Sequence, residues 1–196
     1  GHVLVATNEG LGVLDRAGRE SRFRLPPEMG GDLVYCILPG DRDVVLGTHR
    51  GLFTFDGREL RPLHREAPFA HLRVICLARD SAGALWVGTV RGLFREEGRG
   101  WASLGVPEGL PDSHLYFVQA LPEGGMAIGH GGGVTLMDAK GGMVHLNQNL
   151  GLYSNETNRG CVLLDRSGRL WFGMVDGFCR LDLRQPMQPQ APTPPF

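Results

Sequence analysis

Short apolar runs broken by short polar turns fill this chain, and few windows show the three-to-four-residue spacing of an amphipathic helix. The runs at 34–38, 74–78, 115–121 and 161–164 are apolar in succession rather than in alternation, as strands covered on both faces are. A turn follows each, then a second run, clearest at 84–89 and 169–174. A two-residue turn leads to a third run (51–56, 92–96) and then to a weaker fourth (59–63, 100–104). Short runs bounded by Gly, Asp and Asn predict strands A, B, C and D of a small sheet.

One segment recurs in register. Its copies are Val5-Ala6-Thr7-Asn8-Glu9-Gly10-Leu11, Leu46-Gly47-Thr48-His49-Arg50-Gly51-Leu52, Val87-Gly88-Thr89-Val90-Arg91-Gly92-Leu93, Ile128-Gly129-His130-Gly131-Gly132-Gly133-Val134 and Phe172-Gly173-Met174-Val175-Asp176-Gly177-Phe178. The second residues fall at 6, 47, 88, 129 and 173, so the steps are 41, 41, 41 and 44. A period of about 40–50 residues built from short strands predicts an all-β fold, a β-propeller with one blade per repeat. The chain opens on a strand B and closes on a strand C at 177–183, so the first and last blades are expected to be incomplete. Residues 1–183 are thus expected to form part of a larger propeller, about seven-bladed by analogy, completed by more chain or by another copy. An unpaired edge is otherwise a template for self-association. Residues 184–196, with five prolines, read as an extended linker toward a further C-terminal domain.

The turns carry their own chemistry. Asp80-Ser81-Ala82-Gly83 and Asp165-Arg166-Ser167-Gly168 each place an aspartate where it can accept backbone N–H bonds, with glycine three residues on to take positive φ. Trp86 and Trp171 stand two residues before the strand-B glycine and are expected to be core wedges, each stabilising by about 1.5–3 kcal/mol on burial.

The composition narrows the function. A formal charge of −1 offers no general attraction for nucleic acid or an anionic membrane, and no apolar run approaches a bilayer span. The chain starts Gly1-His2 without methionine, which reads as a processed or recombinant start. Of the four cysteines, Cys36, Cys76 and Cys161 share one repeat position with Phe117, and Cys179 aligns with Phe53 and Phe94. A thiol that alternates with phenylalanine is expected to be a small apolar group. No pair has metal-ligand spacing, no cofactor motif occurs, and neither a nucleophile elbow nor a phosphate loop is present.

The hairpins resemble the two-component regulator propeller repeat. Asp80-Ser81-Ala82-Gly83-Ala84-Leu85-Trp86-Val87-Gly88-Thr89 and Asp165-Arg166-Ser167-Gly168-Arg169-Leu170-Trp171-Phe172-Gly173-Met174 match its D-x-x-G-x-L-W-[IVF]-G-T core. Gly109-Leu110-Pro111-Asp112-Ser113-His114-Leu115 matches its G-L-P lead-in, with a looser lead-in at 150–156. The first, second and fourth copies lack the tryptophan and the Asp-x-x-Gly turn. The resemblance implies a sensor region of a bacterial signalling receptor, periplasmic or extracellular. It further implies a downstream β-sandwich, a transmembrane helix and a signalling module in the parent chain, with oligosaccharides among the ligands.

Propeller geometry gathers the B–C and D–A loops on one face. Candidate ligand contacts are therefore His49, Arg50 and Arg91 in B–C turns, where a guanidinium can hold a carboxylate or sulfate with two parallel bonds. Arg73, His114 and Asn158 open strand A, with Leu33 breaking the set, while Asn155, Glu156 and Arg159 cluster in the longest lead-in loop. His130 aligns with Thr48 and Thr89 and is expected to be structural. The expected function is non-catalytic ligand sensing. Two alternatives stand beside it: an enzyme resembling streptogramin lyase, whose Glu-x-His pattern is not evident here, and a protein-interaction scaffold. Sialidase Asp-boxes differ, since their aspartate stands two residues before glycine and here it stands three before.

Overall fold

A computed structural model describes residues 2–27, 31–40 and 43–184; the proposed linker, apart from Arg184, lies outside the described residues. Five antiparallel sheets follow one another, each with its strands in chain order. The first contains β1 (Val3–Thr7), β2 (Gly10–Leu14) and β3 (Glu20–Phe23). The second contains β4 (Val34–Pro39), β5 (Val44–Thr48), β6 (Leu52–Phe55) and β7 (Leu60–Leu63). The third contains β8 (Val74–Arg79), β9 (Leu85–Thr89), β10 (Gly92–Glu97) and β11 (Gly100–Leu104). The fourth contains β12 (Leu115–Ala120), β13 (Met126–His130), β14 (Gly133–Met137) and β15 (Met143–Leu146). The fifth contains β16 (Thr157–Leu164), β17 (Arg169–Met174) and β18 (Gly177–Asp182). No α-helix occurs among the described residues, and none of their helical turns is long or apolar enough to cross a membrane.

The sheets stack around an axis as propeller blades. Strands β4, β8, β12 and β16 are neighbours on the inner side, and β1 lies beside β4. Core residues fall into four clusters, one between each pair of successive sheets. Residues in succession along strand B explain this. In β9, Trp86 belongs to the core with the fourth sheet while Val87 belongs to the core with the second. In β5, Val45 points onward to the third sheet and Leu46 back to the first. Every blade therefore has a forward and a backward face, which is why apolar residues follow one another without alternation.

The expected hairpin chemistry forms. The Asp80 carboxylate accepts the amides of Ala82 and Ala84, and its second oxygen accepts the Trp86 indole N–H at 3.0 Å. Asp165 repeats this with Ser167, Arg169 and the Trp171 indole at 2.9 Å. One carboxylate thus ties the turn to the tryptophan of the following strand, which is why the two residue types occur together. The indole of Trp171, then the amide of Arg169, hold the Asp165 carboxyl below its ordinary pKa.

The strand-B glycine answers to its neighbour on strand A. A Cβ on Gly47 would strike the Cys36 thiol, one on Gly88 the Cys76 thiol, and one on Gly129 the Phe117 ring. Among the described residues the first sheet shows no strand A, and there the position holds Ala6. Cys36 and Cys76 fill the apolar place expected of them, and burial pushes the Cys36 thiol up to about 12. Cys161 is exposed instead, because its equivalents face onward to a following sheet and no sheet follows the fifth among the described residues.

The inner strands bulge where they face the axis. Ladder register shifts between Val34 and Cys36, between Val74 and Cys76, and between Leu115 and Phe117. Tyr35, Ile75 and Tyr116 occupy these bulges. In β16 the shift lies between Thr157 and Val162, so this strand starts earlier than the run at 161–164. Three residues separate Thr157 from Cys161, where one separates Val74 from Cys76. The longer bulge brings β16 close to β8, two sheets away.

Candidate functional site

The B–C turns are built alike. Thr48 Oγ1 donates to the Gly51 carbonyl at 3.0 Å and accepts the Arg50 amide at 3.1 Å. Thr89 does the same with Gly92 at 2.8 Å and Arg91 at 3.0 Å. These buried hydroxyls lock the turn backbone and leave the Arg50 and Arg91 side chains exposed at the rim. His49 is half-buried; its amide donates to the Leu33 carbonyl and its ring lies beside Gly31.

His130 substitutes for the threonine in the fourth turn. Its Nδ1 accepts the Gly132 amide at 3.1 Å, so the neutral ring carries its proton on Nε2. That N–H donates to Thr135 Oγ1 at 2.9 Å, and the hydroxyl in turn donates to His145 Nδ1 at 2.9 Å. Burial drives the His130 pKa down to about 4, opposed by the negative charge of Asp112. Its role is structural, as its alignment with the threonines indicates.

The inner mouth holds a repeated pair. The Arg73 guanidinium lies 5.7 Å from the centroid of the Tyr35 ring, and that of Arg159 lies 5.8 Å from the Tyr116 ring. Each pair joins a bulge residue of one inner strand to an arginine of the next sheet. Cation–π contact at this range holds the guanidinium while its N–H groups remain open to a ligand. Tyr116 also donates its hydroxyl to Glu156 at 3.2 Å. Burial, then the charges of Glu156 and Asp112, raise the Tyr116 pKa, so the phenol stays protonated at neutral pH.

His114 stands beside this pair, its ring 5.3 Å from Tyr116. Its amide donates to Asp112 at 2.9 Å, and its Nε2 is buried without a hydrogen-bond partner. Such a nitrogen is costly to leave unsatisfied unless a ligand or water completes it. Tyr116, Arg159, Glu156 and His114 thus gather around one inner strand, and Tyr35 with Arg73 repeats the stacked pair. Among the described residues no group of three or more His, Cys, Asp or Glu is arranged to hold a metal.

The predicted set divides accordingly. Arg73, His114 and Arg159 line the inner mouth, and Arg50 and Arg91 stand on the outer rim. Asn155 and Asn158 turn to the scaffold: Asn155 Oδ1 accepts the Gln148 amide at 2.8 Å, and Asn158 donates to the Met174 carbonyl at 2.8 Å. Ladder register places Glu156, not Asn158, level with Arg73 and His114, because the longer β16 bulge shifts the count by two residues. Tyr35 and Tyr116 were outside the predicted set, yet they share one repeat position on the inner strand, a signal present in the sequence. A cleft of about 710 Å³ beside β3, lined by Arg22, Arg24 and Arg58 among others, contains none of the predicted residues.

Residues 68–91 match the family model described as "Two component regulator propeller". This stretch of the third repeat is similar to repeats of that kind. No curated protein matches the sequence. Among solved structures, the chain superposes on the extracellular domain of BT4673 from B. thetaiotaomicron, described as a one component system, with TM-score 0.71 and 16% identity. That alignment covers 91% of this chain and 26% of the other. The extracellular domain of BT3049, described as a hybrid two component system of the same organism, gives TM-score 0.61 and 15% identity over 94% and 32%. Virginiamycin B lyase from Staphylococcus aureus gives 0.66 and 12% over 96% and 69%. The chain thus spans about a quarter to a third of the two extracellular domains it resembles. At these identities the likeness is one of fold.

Proposed function

We propose that this chain is a non-catalytic, ligand-sensing stretch of propeller in a bacterial signalling receptor, on the periplasmic or extracellular side of the membrane. Its ligand is an oligosaccharide or a similar polyhydroxylated molecule. The observation that carries this reading is the Tyr–Arg pair that occurs twice at the inner mouth, Tyr35 with Arg73 and Tyr116 with Arg159. Tyrosine supplies a flat face for a sugar ring, and arginine supplies a two-pronged donor for a carboxylate or sulfate. The two component regulator propeller match and the fold likeness to extracellular sensor domains support the signalling context. The parent receptor supplies the membrane anchor and the output module.

Thermal unfolding with a panel of acidic and neutral oligosaccharides tests the proposal. A ligand that binds the folded state raises the midpoint, by an amount set by its concentration relative to Kd. Tyr116→Ala with Arg159→Ala is expected to weaken that binding at least about tenfold, as the loss of one stacked face and one charged hydrogen bond requires. Arg50→Ala with Arg91→Ala tests the outer rim in the same assay. Unchanged affinity in the Tyr116 and Arg159 double variant would reject the mouth as the site, and unchanged affinity in both double variants would reject the whole face. Turnover of a panel member would favour the lyase-like enzyme, and a flat response to every sugar would favour the scaffold.

A further inference from the structure

We infer that the mouth is electrically two-ended: its ligand is an oligosaccharide with a carboxylate at one end and only hydroxyls at the other, the acidic sugar seated on Tyr35 and Arg73. This rests on the sugar-sensing reading above and narrows it. What carries it is a reversal of charge between repeat-equivalent places on one face of the arc. The B–C turns of the second and third sheets carry Arg50 and Arg91, and Arg73 stands just before β8. All three are exposed, and none has an acidic partner among the described residues. Of the acids in the neighbouring loops, Glu9 is bonded to Arg22, Asp32 accepts the Leu25 amide, and Glu66 is offset by the adjacent Arg65. The fourth and fifth sheets reverse the sign. Their B–C turns hold Gly131-Gly132 and Val175-Asp176 in place of the arginines, and their lead-in loops hold Asp112 and Glu156, with Arg159 set beside them.

The two Tyr–Arg pairs are therefore not equivalent. Asp112 reaches the fourth turn because that turn carries no side chain: a Cβ on Gly131 would lie 2.8 Å from Asp112 Oδ2 and 3.9 Å from the Tyr116 hydroxyl. His49 and Val90 hold this place in the second and third sheets. Tyr116 donates its hydroxyl to Glu156, so two carboxylates adjoin this phenol, and their charges help to keep its proton on. A ligand carboxylate placed there meets two like charges. Ligand hydroxyls instead find acceptors in both carboxylates and an open nitrogen in His114. At Tyr35 the balance is opposite, since its ring face and the Arg73 guanidinium receive an anionic sugar, with Arg50 and Arg91 on the same rim. The ligand's direction is thus set by attraction at one end and repulsion at the other.

Titration calorimetry with matched disaccharides of glucose, galactose and mannose reads this out, each prepared as the neutral sugar, a monouronate and a diuronate. For the sugar that binds, the monouronate is expected to hold at least about tenfold more tightly than the neutral and diuronate forms, the size of one charge-assisted pair. Arg73→Gln is expected to bring the monouronate down to the level of the neutral sugar. Asp112→Asn with Glu156→Gln keeps the oxygens that accept the His114 amide and the Tyr116 hydroxyl, and is expected to tighten the diuronate at least about tenfold. Added sodium chloride repeats the test on the unaltered chain, where the advantage of the monouronate is expected to shrink as the charges are screened. Neutral and monouronate forms bound alike, or a diuronate bound as tightly as its monouronate, overturn the charge asymmetry and leave sugar sensing standing. Loss of the preference in Arg159→Gln and not in Arg73→Gln overturns it too, because the acid would then sit at the other end. No binding by any of these sugars overturns the sugar-sensing reading and this inference with it.

Discussion

His130 shows how one side chain can take over another's task and add a pH dependence to it. Its Nδ1 accepts the turn amide that a threonine hydroxyl accepts in the first three repeats. The imidazole is fully buried and neutral, with its pKa pushed down to about 4 by burial. In the unfolded chain the same ring titrates near the ordinary histidine value of about 6.5. The stability it contributes is therefore present above about pH 6.5 and is lost as the pH falls toward 4, since the unfolded state takes up the proton first. The loss over that window is roughly 2–3 kcal/mol. His130→Thr restores the turn of the other repeats and is expected to flatten this part of the pH–stability profile, as measured by urea unfolding at pH 7, 5.5 and 4.5. Aligning repeats was enough to read His130 as structural. Its bond to Thr135 was not legible, because that contact crosses from one strand to the next.

At the scale of paired strands, the glycine of strand B and the side chain of strand A form one unit. Gly88 has room for a hydrogen and no more, because the Cys76 thiol lies over it. Gly88→Ala is expected to cost about 1–3 kcal/mol by overpacking. Cys76→Ala in the same chain removes the sulfur and should recover part of that loss, so a double-mutant cycle by chemical denaturation should give a coupling of about 0.5 kcal/mol or more. Additive costs would show that the two do not touch. The strands themselves were readable from the apolar runs, and β8, β10, β11 and β17 fall within a residue or two of their expected bounds. The lead into β16 was not. Its backbone stays paired at Thr157 while the following residues swing out, and composition does not distinguish such a bulge from a loop. That is why Asn158 was set level with Arg73 when Glu156 holds the place.

Over the whole arc, stability is a sum of alike interfaces, each made by a sheet with its successor. Residues 64–104 form one repeat, carrying the third sheet and the loop that leads into it. Excising them sets the forward face of the second sheet against the backward face of the fourth, the pairing already used at each interior core. The shortened chain is expected to keep its β-type circular dichroism and unfold cooperatively, at a midpoint several degrees lower for the loss of one core. Collapse to an unfolded chain would mean that the third sheet has contacts its siblings cannot replace. The five sheets of the described residues were legible from the period, and so was the likeness of the third repeat to the two component regulator propeller. The identity of the mouth was legible in part, since side chains that gather around an axis come from positions about 40 residues apart.

The polarity of these sheets reaches beyond any one arc. A tile whose leading side fits the trailing side of its own kind can be added or removed without a matching change anywhere else. Unequal crossing-over within such a gene would therefore alter the blade tally in whole units and still yield a protein that packs. Chains of this design are free to vary in how far they wrap while the residues at each seam stay under the same constraint.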